Sequence, residues 1–151
     1  MIRFDYQEPT SLKKALSLME KHGEDARVIA GGTSLIIMMR QRLLMPKVVI
    51  SLGRIPKFDR ITFNAKDGLR IGAGARPRDI GLSPAVKKHY PLLYETFRKV
   101  AQPRIRNMGT VGGNLAAGDP LTDPGASLIA LDATVTLTSS KGQRTLPLDE
   151  F

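Results

Sequence analysis

The sequence has 151 residues, no cysteine, and a formal net charge of +9 at pH 7. Apolar residues make up 42% of it and charged residues 25%, the balance of a chain that folds rather than stays disordered. Without thiols it forms no disulfide and cannot by itself ligate an iron–sulfur cluster or a thiolate zinc.

The opening residues, "MIRFDYQEP", lack the basic start and apolar run of a secretory signal. The longest apolar stretch, "LIIMM", is far short of the roughly 20 residues that cross a bilayer. A cytoplasmic protein without membrane insertion is the expectation. The basic residues fall in small groups ("MRQR", "ARPRD", "RKVAQPRIR"), and aromatics are only 5% with no tryptophan. Stacking platforms for single-stranded nucleic acid are therefore poorly supplied. The charge reads as solvated faces first, a partner surface second, and a nucleic-acid surface last.

In chain order, Ile2 to Tyr6 reads as a short strand. "EPTSLKKALSLMEKHG" reads as a helix capped by Thr10 or Ser11, with Leu12, Ala15, Leu16 and Met19 on one face and Gly23 as the stop. "ARVIA" is a buried strand, "LIIMMRQRLL" a helix, and "KVVISL" a strand ended by Gly53. Strand–helix–strand–helix–strand is the order of a small α/β unit with parallel strands. Residues 1–53 are thus expected to form one lobe. Residues 54–151 form a second, α+β lobe. In it, "FDRITFN" and "LRIGAGA" make an antiparallel hairpin through "AKDG". "RPRDI" and "SPAVKKHYPLLYETFRKVA" are helical with a break at Pro91. "ASLIALDATVTLTSSKGQRTLPL" gives a helical turn and a hairpin through "SSKGQ".

Two Gly-Gly pairs stand out, in "AGGTSL" (Ala30 to Leu35) and "TVGGN" (Thr110 to Asn114). Glycine lets a backbone approach a ligand with no Cβ in the way. Successive exposed N–H groups in such loops form a concave donor site for phosphate oxygens, and Thr33, Ser34, Thr110 and Asn114 could add side-chain donors. The plainer reading is a tight turn for each pair taken singly. Position favours the first, which lies between a strand end and a helix start, where anions are welcome. "IGAGARP" begins like a dinucleotide fingerprint, but Pro77 stands where the third glycine belongs, so it reads as a strand end and turn. His22 and His89 are too isolated to suggest a metal, and no GxxxxGK[ST], GxSxG or HExxH pattern occurs.

"AGGTSL" followed by "IRNMGTVGGNLAAGDPLTD" (Ile105 to Asp123) resembles the flavin-binding medium subunit of molybdenum hydroxylases, the family of aerobic carbon monoxide dehydrogenases and the flavin domain of xanthine dehydrogenase. The resemblance runs from Ile2 to the terminal "TLPLDEF". It implies an α+β, two-lobed FAD-binding domain of the vanillyl-alcohol-oxidase/MurB (PCMH) type, a small N-terminal α/β lobe beside a larger lobe with an antiparallel sheet. FAD would lie between the lobes. Ala30, Gly31, Gly32, Thr33, Ser34 and Leu35 would form the first glycine loop. Thr110, Val111, Gly112, Gly113 and Asn114 would form the second. Asp123 matches a residue contacting the flavin's sugar-alcohol chain, and Val100 an apolar contact position. No catalytic side chain and no metal ligand is implied.

The family further implies an electron-transfer role in a hetero-oligomer. An iron–sulfur small subunit supplies electrons, a molybdenum-cofactor large subunit oxidises the substrate, and an external acceptor receives the electrons. Family members continue past the segment matching "LDEF" into a C-terminal domain that these 151 residues do not include. Two rival expectations stand beside this one: a shortened homologue serving assembly without catalysis, and a basic nucleic-acid-binding domain.

Overall fold

The computed structural model describes residues 3–118 and 123–151, the side chain of Asp123 excepted. The chain opens with β1 (Asp5–Gln7), α1 (Leu12–His22), β2 (Ala26–Ile29), α2 (Leu35–Arg40) and β3 (Val48–Ser51). These build a parallel sheet in the order β1-β3-β2, as the alternation of elements predicts. Asp5 pairs with Val48 on one side of β3 and Ala26 with Val48 on the other. All four residues of β3 are buried, which is why "VVI" is an unbroken apolar run and not an alternating one. Of the expected strand Ile2–Tyr6, Ile2 lies outside the described residues and the observed strand is shifted toward Gln7.

Ser11, not Thr10, caps α1, its hydroxyl accepting from Lys14 N–H at 3.2 Å. Gly23 at φ 50° closes the helix with its N–H on Met19 O. Ala15 drops into contact with Ala26, Val48 and Ile50, with Leu18, Met19, Leu52 and Ile55 around them. This first hydrophobic cluster therefore extends two residues past the expected boundary at residue 53.

The hairpins follow as expected, β4 (Ile61–Asn64) with β5 (Gly68–Ile71), and β6 (Thr134–Ser139) with β7 (Gly142–Pro147). Asn64 Oδ1 turns the first by accepting from Lys66 N–H at 3.0 Å and Asp67 N–H at 2.7 Å. The antiparallel sheet expected for the larger lobe takes the form of these two ribbons, which do not pair with each other among the described residues.

Between the hairpins run α3 (Pro77–Leu82), α4 (Pro84–His89), α5 (Pro91–Lys99), α6 (Pro103–Met108) and α7 (Val111–Ala117), with α8 (Asp123–Ile129) before β6. A proline sits at the start of each of the first four, where its missing N–H and fixed φ cost nothing. Ile80, Val86, Leu93 and Phe97 from α3–α5 form a second core with Ala75, Val100, Val111, Leu128 and Leu148. Leu69 N–H donates to the Tyr90 hydroxyl at 3.2 Å, fixing β5 onto the helices. No helix among the described residues is long and apolar enough to cross a membrane.

Phe97 has 0% of its surface exposed at the centre of this second cluster. Phe97→Ala is expected to destabilise the fold by about 3–5 kcal/mol. Leu92→Ala, on the exposed side of the same helix, should change stability by no more than about 0.5 kcal/mol. Urea unfolding followed by circular dichroism checks both.

Candidate functional site

β2 ends at Ile29, and Ala30 to Ser34 carry the chain into α2. Gly31 lies so close to the end of α6 that a Cβ there would overlap the Met108 carbonyl oxygen and stand 2.7 Å from Gly109 Cα. The two glycine-rich segments, more than 70 residues apart in the chain, thus meet backbone against backbone. Thr33 completes the contact, with its Oγ1 3.7 Å from the position a Cβ of Gly109 would take. Gly32 at φ 70° turns the loop through the left-handed region.

Beyond that turn, Gly32, Thr33, Ser34 and Leu35 donate no backbone hydrogen bond to any described residue. The Ser34 side chain makes no cap to α2 either. Four consecutive N–H groups between a strand end and a helix start are thus without a backbone acceptor among the described residues. That is a donor array suited to an anion.

"TVGGN" is built differently: it opens a helix where the sequence suggests a loop. Thr110 is the N-cap of α7, and Val111, Gly112, Gly113 and Asn114 are its first turn. Every N–H of that turn is already engaged. Val111 N–H donates to Ala75 O and Gly112 N–H to Ala73 O, both at 2.9 Å. Gly113 N–H donates to Thr110 Oγ1 at 3.1 Å and Asn114 N–H to Thr110 O at 2.9 Å. The glycines are there for packing. A Cβ on Gly112 would come within 2.6 Å of Ala73 Cβ, and one on Gly113 within 2.8 Å of Thr110 Oγ1. The "IGAG" segment is thus the support on which α7 rests. Its glycines, placed just after a strand, were the available sign of such a backbone crossing.

One polar atom of this turn is left over. Asn114 Oδ1 is buried with no hydrogen-bond partner among the described residues, a state that native proteins rarely leave uncompensated. Val111 is buried in the second core. Val100, expected at a cofactor contact, also has its side chain in that core, and its carbonyl accepts from Arg106 Nη1 at 3.1 Å. Arg106 also donates to Ala101 O at 2.6 Å, so this cation, unassigned from sequence, braces the turn between α5 and α6. Asp123 opens α8, and its side chain lies outside the described residues.

Residues 2–151 match the family described as the FAD binding domain in molybdopterin dehydrogenase. The medium chain of carbon monoxide dehydrogenase from Hydrogenophaga pseudoflava is 39% identical over 149 residues, 99% of this chain and 52% of that protein. The nicotine 6-hydroxylase medium subunit of Paenarthrobacter nicotinovorans is 40% identical over 146 residues, 97% of this chain and 51% of that one. A solved structure of the Hydrogenophaga pseudoflava carbon monoxide dehydrogenase, lacking the Mo-pyranopterin moiety of its molybdenum cofactor, matches the fold with a TM-score of 0.95 at 40% identity. That match covers 100% of this chain and 53% of the other. The chain belongs to the FAD-binding domain family of the molybdopterin dehydrogenases, and its fold is the α+β PCMH type. It spans about half the length of the curated relatives it matches.

The residues present fit FAD. A run of unclaimed N–H groups suits a diphosphate, and a buried, unpartnered amide oxygen suits a ligand N–H or hydroxyl. Neither feature has an internal partner among the described residues.

The contact under Gly31 gives a direct test of the geometry. Gly31→Ala forces a methyl into the Met108 carbonyl and is expected to destabilise the protein by about 1–3 kcal/mol. Gly125→Ala, in α8 with no described atom within 4 Å of the new Cβ, should be neutral or stabilising by up to about 1 kcal/mol. Paired urea denaturation curves distinguish the two.

Proposed function

We propose that this chain is the FAD-binding, electron-transfer component of a molybdenum-containing hydroxylase, working in a cytoplasmic hetero-oligomer. It takes electrons from the iron–sulfur centres of a small partner subunit and passes them to an external acceptor, while substrate is oxidised on a molybdenum-cofactor large subunit. The single observation carrying this reading is the Gly31–Met108/Gly109 contact, which brings the two motif segments together at one place. Division of the chain into lobes near residue 53 belongs to the same proposal and is supported by its two separate hydrophobic clusters.

FAD, when bound, supplies the redox chemistry of its isoalloxazine ring, which no side chain of the chain itself offers. What the protein contributes is placement. The N–H groups of Gly32, Thr33, Ser34 and Leu35 would hold the diphosphate, each hydrogen bond to a charged oxygen worth about 1.5–3 kcal/mol. The Thr33 and Ser34 hydroxyls extend that array. Asn114 would accept a hydrogen bond from the ligand through Oδ1. Ala30, Gly31 and the Thr110–Gly113 turn act from behind by fixing where these groups stand. Contact of Asp123 with the sugar-alcohol chain and of Val100 with the cofactor stay within the proposal, the latter through backbone atoms since its side chain is in the core.

Asn114 separates binding from structure. Asn114→Leu removes a buried unsatisfied oxygen and substitutes a better helix former, so stability should hold or rise. Affinity for FAD, measured by quenching of flavin fluorescence, should fall roughly threefold to tenfold, the loss of one net hydrogen bond. Unchanged affinity would remove Asn114 from the site, and failure of the unaltered protein to bind FAD would overturn the function itself.

A further inference from the structure

The first glycine loop leads directly into a surface that the fold does not use. Of the six residues of α2, only Met39 is buried, at 5% exposure. Ile37 is 53% exposed, and Leu43 and Met45 after the helix are 66% and 61% exposed. The segment folds back on itself, with Leu43 N–H donating to Met38 O at 2.9 Å. Arg42 makes this possible at φ 61°, in a region a non-glycine residue seldom occupies. Exposed apolar side chains are therefore gathered at one end of α2 instead of scattered, and Arg40 and Arg42 stand among them.

The charge around this patch is one-sided. From Ala26 to Phe58 the sequence holds six lysines and arginines and not a single carboxylate. Lys47 pairs with Asp25 and Arg54 with Glu8, but Arg40 and Arg42 pair with no described carboxylate. The run "LIIMMRQRLLM" contains methionine and arginine, which protein interfaces favour, and neither lysine nor glutamate, which they avoid.

We infer that residues 36–45 are a docking surface for an acidic protein partner, one presenting carboxylates around an apolar centre. This rests on the proposed function, in which the chain works inside a hetero-oligomer. Charge complementarity selects the occupant. A second copy of this chain would set the same two arginines against each other across a two-fold contact. A six-residue helix is too short to lie along a lipid surface as interfacial helices do. Because Leu35 starts α2, a partner seated here lies beside the free N–H groups of the cofactor loop.

The test places a photo-cross-linking p-benzoylphenylalanine at position 43 of the full chain, expressed in its native cells. The assembly is irradiated and the joined peptides are mapped by mass spectrometry. The expected product joins position 43 to an Asp- or Glu-rich segment of a different protein of the assembly. Its yield should drop at least tenfold in R40E/R42E and at high salt, while the FAD affinity of R40E/R42E stays unchanged. A link to phospholipid, to a second copy or to this chain itself overturns the inference, as does no link or a yield indifferent to charge reversal. Failure of the unaltered chain to bind FAD would instead count against the flavoprotein reading and leave the mapped partner standing.

Discussion

The structure depends on a place where two stretches of backbone touch with no side chain between them. Gly31 sits against Met108 and Gly109 at a separation that excludes even a methyl group. The elements on the two sides of this contact feed different hydrophobic clusters: β2 supplies Ala26 to the one under the parallel sheet, and α7 supplies Val111 to the one among α3–α5. The contact therefore sets the position of one cluster's loop against the other cluster's helices. A second tie lies elsewhere, where the Ser140 hydroxyl at the tip of the last hairpin meets the Glu20 carboxylate of α1. That one is exposed and polar, and exposed polar contacts of this kind contribute little. The glycine contact is the one that shape alone enforces.

The two Gly-Gly pairs have separate duties, and the hydrogen bonds show which is which. In the first pair the turn at Gly32 frees the N–H groups that follow it. In the second, Ala73 and Ala75 accept from Gly112 and Val111, and Thr110 accepts from Gly113 and Asn114. A donor already engaged inside the protein cannot serve a ligand without losing its first partner, which for a buried group costs about 1–3 kcal/mol. Under the proposed function the anion-binding capacity is thus concentrated at residues 32–35. The Thr110–Asn114 turn is a wall built to fixed dimensions, with Asn114 Oδ1 a polar atom that has no partner among the described residues.

Much of the fold was legible from the sequence. "VVI" and "ARVI" marked a parallel pair, Ser11 and Gly23 bracketed α1, and "AKDG" and "SSKGQ" marked both hairpins. The burial expected for "ARVI" holds only at Ala26, since Val28 is 39% exposed. Helices α6 and α7 were not legible. Each has six or seven residues, too few to display an amphipathic period, and α7 carries two glycines that lower its intrinsic helix propensity. Pro103, in the position that starts a helix, and Thr110, a cap residue, were the signals passed over. The family was legible through the pairing of the two motifs, since neither glycine pair alone implied more than a turn. The role of Ala73 and Ala75 was hidden because backbone carbonyls leave no trace in side-chain chemistry. Val100 shows a similar ambiguity: an apolar residue at a helix end looks alike in sequence whether it faces a core or a cofactor, and its side chain lies in the core.

Isotope-labelled protein titrated with FAD, and separately with ADP, gives the most direct measurement of the account. Amide proton–nitrogen spectra report each N–H individually. The Gly32, Thr33, Ser34 and Leu35 amides should shift strongly with both ligands, which share a diphosphate, while Val111 and Gly112 keep their existing bonds and move little. Strong shifts confined to Val111–Gly113, with residues 32–35 silent, would contradict the assignment of anion binding to the first loop.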